Sequence, residues 1–266
     1  MNAFWTRLVH TWKRSAGNRR EFFHELYLSL DARMEPFYTR KVQYDARSFV
    51  TVLQDLENIT QTPLQPFLHE SHLADIDMEI RRRSVELGHK ESGETETYAR
   101  QEYAELYYIL CRAFRPRNVL ETGVAYGRSS AYILKALEVN GNGTLHSVDR
   151  PLPVSNANEL IGVLVPDSLR HHWQLHIGST HSLFPALLPS IGKIDIFIHD
   201  SRHTYRNMKY EFGTVIPYLN NPGFVLSDDA DQNPAFHEWA SRTTPTYWTT
   251  MAASGNRLLG ISFLRT

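Results

Sequence analysis

The stretch that decides the fold is Val119-Leu120-Glu121-Thr122-Gly123-Val124-Ala125-Tyr126-Gly127-Arg128-Ser129-Ser130. It opens as a short apolar run, passes two glycines, and continues into residues with helical spacing. That order predicts a buried strand, a tight turn and a helix starting near Ser129. Glycines in such a turn let a ligand approach the backbone, and the helix start offers free N–H groups to an anion. A dinucleotide-binding turn has the spacing Gly-x-Gly-x-x-Gly around a pyrophosphate. Here the spacing is Glu-x-Gly-x-x-x-Gly, from Glu121 to Gly127. Taken alone, it serves equally as a structural strand-to-helix connection.

C-terminal to this turn, β-rich runs alternate with helical segments. Strands are expected at Asn118–Glu121, Thr144–Val148, Trp173–Ile177, Ile194–His199 and Gly223–Ser227. Helices are expected at Ser129–Val139, Thr204–Leu219 and Pro234–Ser241. This alternation predicts an α/β fold, a mostly parallel sheet with helices on both faces. Tyr247–Ala252 and Leu258–Leu264, around Gly255-Asn256, read as a closing antiparallel hairpin. N-terminal to the turn, a helix from Tyr98 to Phe114 ends before Pro116. The polar stretch Gly88 to Thr97 then divides the chain into a helical extension, 1–96, and a main domain, 97–266. In the extension, Phe4, Trp5, Leu8, Val9 and Trp12 recur at helix spacing, as do Phe22, Phe23, Leu26, Tyr27 and Leu30.

Asp149 ends the second strand, where a carboxylate can accept two hydrogen bonds from a vicinal diol. Dinucleotide enzymes use the same device. Together, the glycine turn, Asp149 and the order of elements resemble the class I S-adenosylmethionine (SAM) methyltransferases, over about residues 98–266. The resemblance implies a doubly wound, Rossmann-like seven-stranded sheet. It also implies a SAM site in which Glu121 faces the methionine amino end, Gly123, Ala125 and Gly127 line its path, and Ser129 bonds the carboxylate. Asp149 would meet the ribose, and Gly178-Ser179 would line the adenine, or be a simple turn.

Two later strands run straight into carboxylates: Ile194 to Asp200, and Gly223 to Asp228-Asp229. In an open α/β sheet, ligands bind at that end of the strands. Three converging carboxylates need a cation or hydrogen-bond donors, and oxygen ligands suit Mg2+, with Ca2+ or Mn2+ as substitutes. Asp200 with Asp228-Asp229 is similar to the metal set of the divalent-metal O-methyltransferases, of the catechol and the macrolide and aminocoumarin sugar types. That resemblance implies metal ligation by Asp200, Asp228 and Asp229, with Asp200 also near SAM. His203, three residues after Asp200, falls where the catechol type has its catalytic lysine, and serves as base or as a structural partner. Arg202 stands where the sugar type has its base, so that base does not carry over.

The charge balance, 28 Lys and Arg against 29 Asp and Glu, argues against a general nucleic-acid binder. One cysteine, Cys111, excludes an internal disulfide framework. No apolar run reaches the roughly 20 residues of a membrane span, and no secretory signal is legible, so the expected location is cytoplasmic. The function expected is methyl transfer to a hydroxyl of a small molecule, a sugar, natural product or glycolipid. The alternatives are an NAD-dependent oxidoreductase and a non-catalytic or hydroxylase-like SAM-binding protein. The aromatic stripes of residues 1–96 call for burial, as a cap over the site or as a homo-oligomer contact.

Overall fold

The structure is a computed structural model and describes residues 19–40, 42–87, 101–150, 160–252 and 257–265. The expected first helix with Trp5 and Trp12, the polar stretch 88–97 and the turn Gly255-Asn256 lie outside the described residues.

The chain begins with α1 (Arg19–Tyr38), the two-residue β1 (Ala46–Arg47), α2 (Phe49–Thr60), a single turn α3 (Gln65–Leu68), α4 (Ser71–Glu86) and α5 (Gln101–Phe114). Ser48 caps α2 by accepting the Thr51 N–H. The alternating part follows: β2 (Asn118–Thr122), α6 (Arg128–Asn140), β3 (Thr144–Asp149), β4 (Trp173–Ile177), α7 (Thr180–Ile191), β5 (Ile194–His199), α8 (Tyr205–Val215), β6 (Leu219–Ser227) and α9 (Ala235–Thr243). The chain closes with β7 (Tyr247–Ala252) and β8 (Leu258–Leu264). A short 3-10 turn, Asp167–His172, leads into β4.

The strands form one sheet in the order β1-β7-β8-β6-β5-β2-β3-β4. All neighbours are parallel except those of β8, which runs antiparallel to β6 and β7. The sheet has eight strands rather than the expected seven. The addition is β1, whose residues 46 and 47 pair with Thr250 and Met251 at the far edge. Its exposed Ala-Arg pair has no apolar alternation, so only edge pairing makes it a strand. The strand β6 starts at Leu219 rather than Gly223, with a register shift against β5.

Strand alternation divides the core in two. Ile196 and Ile198 face α2, α4, α5 and α6, whereas Phe197 faces α7, α8 and α9. Val52, Leu53, Leu56, Leu64, Leu73, Ile76 and Ile80 lie in the first of these cores, so residues 49–80 pack directly on the sheet side of α5 and α6. No helix of the described residues is long and apolar enough to cross a membrane. The strand order reverses between β2 and β5, which opens a crevice at their carboxyl ends.

Candidate active site

The sheet ladder continues one residue past the strand ends and so fixes the acids that follow. Asp200 N–H donates to Thr122 O at 2.8 Å, and Asp228 N–H donates to His199 O at 2.8 Å. Asp200 and Asp228 thereby stand side by side at the crevice. One ligand atom each from Asp200, Asp228 and His203 falls within 4.8 Å of the others. His203 Nε2 lies 3.6 Å from Asp200 Oδ1 and 4.0 Å from Asp229 Oδ2. Asp229, in left-handed backbone at φ 50°, sits at the side of this group, 3.7 Å from Arg257 Nε and accepting from Gln232. The structure therefore brings Asp200, Asp228 and His203 together and leaves Asp229 adjacent.

Burial, then the Asp228 carboxylate, holds the Asp200 carboxyl well above the ordinary carboxylate range, and the two share a hydrogen bond. Two carboxyl groups in contact cannot both ionise unless a cation replaces the shared proton. Burial, reinforced by the neighbouring His199, pulls the His203 imidazole down to about 4. His203 is therefore neutral at physiological pH.

A Cβ on Gly123 (φ +90°) would fall 2.0 Å from Asp200 O, and one on Gly127 (φ +88°) would fall 2.7 Å from Gly162 Cα. These glycines make room for protein backbone. Ala125 adopts φ 48° between them. The Asp149 carboxylate clamps the turn, Oδ2 accepting from Val124 N–H at 2.9 Å and Ala125 N–H at 2.8 Å. Oδ1 accepts from Arg150 N–H at 2.6 Å. Burial raises the Asp149 pKa against these donors, which lower it.

Glu121 is fully enclosed. It accepts hydroxyl hydrogen bonds from Ser129 at 2.7 Å, Ser130 at 2.6 Å and Ser147 at 2.8 Å. The expected reach of Glu121 and Ser129 to the methionine end thus meets two side chains already bonded to each other, because β2 and the first turn of α6 close over them. Gly178 N–H donates to Asp149 O at 2.9 Å, which joins the ends of β3 and β4. Ser179 caps α7 through the Ser182 N–H.

Several residues of the site carried no motif. Glu211 and His199 are both fully buried, with His199 Nδ1 2.7 Å from Glu211 Oε2. Thr122, Thr180, Ser201 and Asn207 also donate to Glu211, at 2.8–3.1 Å. One carboxylate thus ties the ends of β2 and β5 to α7, α8 and the loop that carries His203. Its signal was a lone acid among Met208, Phe212 and Val215 on the apolar face of α8. The His199 ring lies edge-on to His203, with centroids 5.4 Å apart. Tyr107 of α5 is buried, and its phenol is pushed up by burial and then by the Asp228 and Asp200 charges. Asn233 side-chain N–H donates to His203 O at 3.0 Å, and its Oδ1 accepts from Ala235 N–H at the start of α9. Asp231 accepts from Leu258 N–H at 2.9 Å.

A family model described as a methyltransferase domain matches residues 120–230. No curated protein matches the chain in sequence. Among solved structures, the O-methyltransferase TomG from Streptomyces achromogenes, in complex with SAM, has a TM-score of 0.52 at 15% identity. The match covers 74% of this chain and 91% of TomG. A putative O-methyltransferase from Klebsiella pneumoniae has a TM-score of 0.52 at 13% identity, over 81% of this chain and 97% of its own. The SAH-bound methyltransferase PaMTH1 from Podospora anserina has a TM-score of 0.50 at 11% identity, over 85% and 99%. These likenesses establish the fold. The matched residues contain the glycine turn, Asp149 and the Asp200 to Glu211 segment, so this part of the chain is similar to a methyltransferase domain, on a fold shared with those structures.

Proposed function

We propose that the enzyme methylates a hydroxyl oxygen of a small molecule, with a divalent cation, Mg2+ first, held by Asp200 and Asp228. The observation that carries this reading is the contact between those carboxyl groups at the reversal point of the sheet, with His203 beside them. Two acids sharing a hydrogen bond form a seat that a hard cation suits, with Asp229 adjacent as a further oxygen donor. When bound, such a cation acts as a Lewis acid on the acceptor hydroxyl and lowers its pKa.

The remaining work falls to the chain's own groups. The amides of the glycine turn, fixed by Asp149, and the ends of β3 and β4 define the cofactor side of the crevice. Proton removal is assigned to His203 rather than metal ligation, because Mg2+ prefers oxygen ligands. Its neutral Nε2 takes the hydroxyl proton, and Asp229 at 4.0 Å offsets the resulting charge. The helical extension, residues 1–96, supplies the acceptor side or an oligomer contact. In support, Arg206 Nε lies 3.2 Å from Asp31 Oδ1, and Glu35 accepts the Tyr205 N–H at 3.0 Å. That places α1 against the start of α8, two residues beyond His203. The acceptor class is a sugar, natural-product or glycolipid hydroxyl.

The test is calorimetry with SAM, and turnover on a panel of hydroxyl acceptors with and without EDTA. Asp228→Ala should keep SAM affinity and lose metal-dependent turnover. His203→Ala should also keep SAM affinity and lose about 10²–10⁴-fold in rate. EDTA-insensitive turnover by the wild type would remove the cation. Full activity in His203→Ala would remove the base.

A further inference from the structure

Far from the crevice, the last turn of α6 meets the 3-10 turn that leads into β4. Glu138 points from the helix, and His171 and His172 are consecutive in the turn. His171 Nε2 lies 2.9 Å from Glu138 Oε2, and His172 Nε2 lies 3.3 Å from the same oxygen. The ligand atoms of all three residues fall within 4.8 Å of one another. Zn2+ held tetrahedrally, with bonds of about 2.0–2.1 Å, spans ligand pairs about 3.3–3.4 Å apart. The two measured separations are close to that edge.

The surroundings orient the set as well. His172 Nδ1 lies 2.8 Å from the Gly143 carbonyl oxygen. That contact places the ring proton on Nδ1 and leaves the Nε2 lone pair directed at Glu138, the arrangement that outer-shell carbonyls impose on metal-bound imidazoles. Gly143 is itself fixed, at φ +101°, and a Cβ there would fall 2.5 Å from Pro116 O. The His172 side chain is only 13% exposed, whereas His171 and Glu138 are open to solvent at 58% and 43%. One ligand is thus pre-set by the fold, and two can close on an ion without repacking the core.

We infer that Glu138, His171 and His172 form a second metal site, taking a borderline transition cation of the Zn2+ class, with a remaining position open to water. Two imidazoles and one carboxylate suit Zn2+, Ni2+ or Cu2+ better than Mg2+. The carboxyl end of α6 and the entrance to β4 lie at the amino ends of the parallel strands, opposite the crevice. An ion there would staple the helix that starts at the glycine turn to the outermost strand of that half of the sheet.

The test uses tag-free, chelator-treated full-length protein, with Zn2+ as the probe in equilibrium dialysis and in thermal unfolding. Wild type and Asp228→Ala should both retain one Zn2+ equivalent that the double variant His171→Ala/His172→Ala loses. Its affinity should fall by more than the roughly 10–100-fold that loss of an outer-shell hydrogen bond costs such sites. Glu138→Gln should weaken the same equivalent, and SAM affinity should stay unchanged in both variants of this site. Zn2+ should raise the unfolding midpoint of Asp228→Ala but not that of the double variant. Equal Zn2+ stoichiometry and affinity in the double variant would overturn the site. So would an equal midpoint shift with Zn2+ in both proteins. Loss of the Zn2+ equivalent in Asp228→Ala alone would instead place the ion in the crevice.

Discussion

Two buried carboxyls, Glu121 and Glu211, show how one side chain acquires opposite properties from its neighbours. Burial pushes Glu121 up to about 7, against the serine hydroxyls that lower it. Glu211 is equally enclosed, and burial alone would raise it too, but His199 and the hydroxyl donors bring it below its ordinary value. For an acid whose folded pKa is raised, the native state holds more protons than the unfolded chain in that interval. Stability from Glu121 is therefore fully present below about pH 4.5 and is lost as pH rises to about 7. At one pKa unit per roughly 1.4 kcal/mol, the loss approaches about 3 kcal/mol. Urea unfolding at about unit pH steps from roughly pH 4 to roughly pH 8, which brackets the two pKa values, should show the decline in the wild type and a flatter profile in Glu121→Gln. Glu211→Ala should behave differently. It strands His199 and four further donors, and breaking a buried pair of this kind costs about 3–5 kcal/mol. The denaturant midpoint should fall accordingly, and Glu211→Gln, which keeps an acceptor, should lose less.

At the scale of elements, the glycine turn and the β5–α8 loop are one object, because Gly123 has no side chain to keep them apart. Gly123→Ala should weaken SAM binding and divalent-cation binding together, since the new methyl displaces the Asp200 carbonyl. Gly141→Ala is the control. Gly141 also has positive φ, +69°, but nothing lies within 4 Å of its Cβ position. It should lose only about 1–2 kcal/mol of stability, from the left-handed backbone, and keep both affinities. Calorimetry on the two variants checks the contrast. The strands β4, β5, β7 and β8 were legible to the residue, and β4 and β5 end at the glycine and the aspartate that follow them. The glycine turn was legible as a turn, but the backbone that its glycines accommodate was not. The residues its glycines accommodate, Asp200 and Gly162, come from distant parts of the chain. Glu211 was missed for a related reason. A single acid on an apolar helix face gains meaning only once four donors from elsewhere in the chain, and Asn207 of its own helix, surround it.

For the whole molecule, the helices α2 and α4, with Leu64 between them, belong to the same core as α5 and α6. Val52, Leu53, Leu56, Leu64, Leu73, Ile76 and Ile80 are each no more than 6% exposed. Burying such side chains is worth roughly 1.5–3 kcal/mol each, a sum comparable with the entire stability of a domain. Deleting residues 1–87 should therefore give insoluble protein, and a soluble, cooperatively folded truncation by calorimetry would contradict this.

The small strand β1 has a consequence for the life of the nascent chain. Its partner Thr250 lies 204 residues after Ala46. At roughly 5–20 residues per second, about 10–40 s of translation separate the two. Through that interval the early helices leave the ribosome before the strands that will cover them exist. The edge of the sheet closes only after the last hairpin has been made. Folding is thus completed only after the C-terminal hairpin is made, and the earliest apolar segments wait longest for their cover.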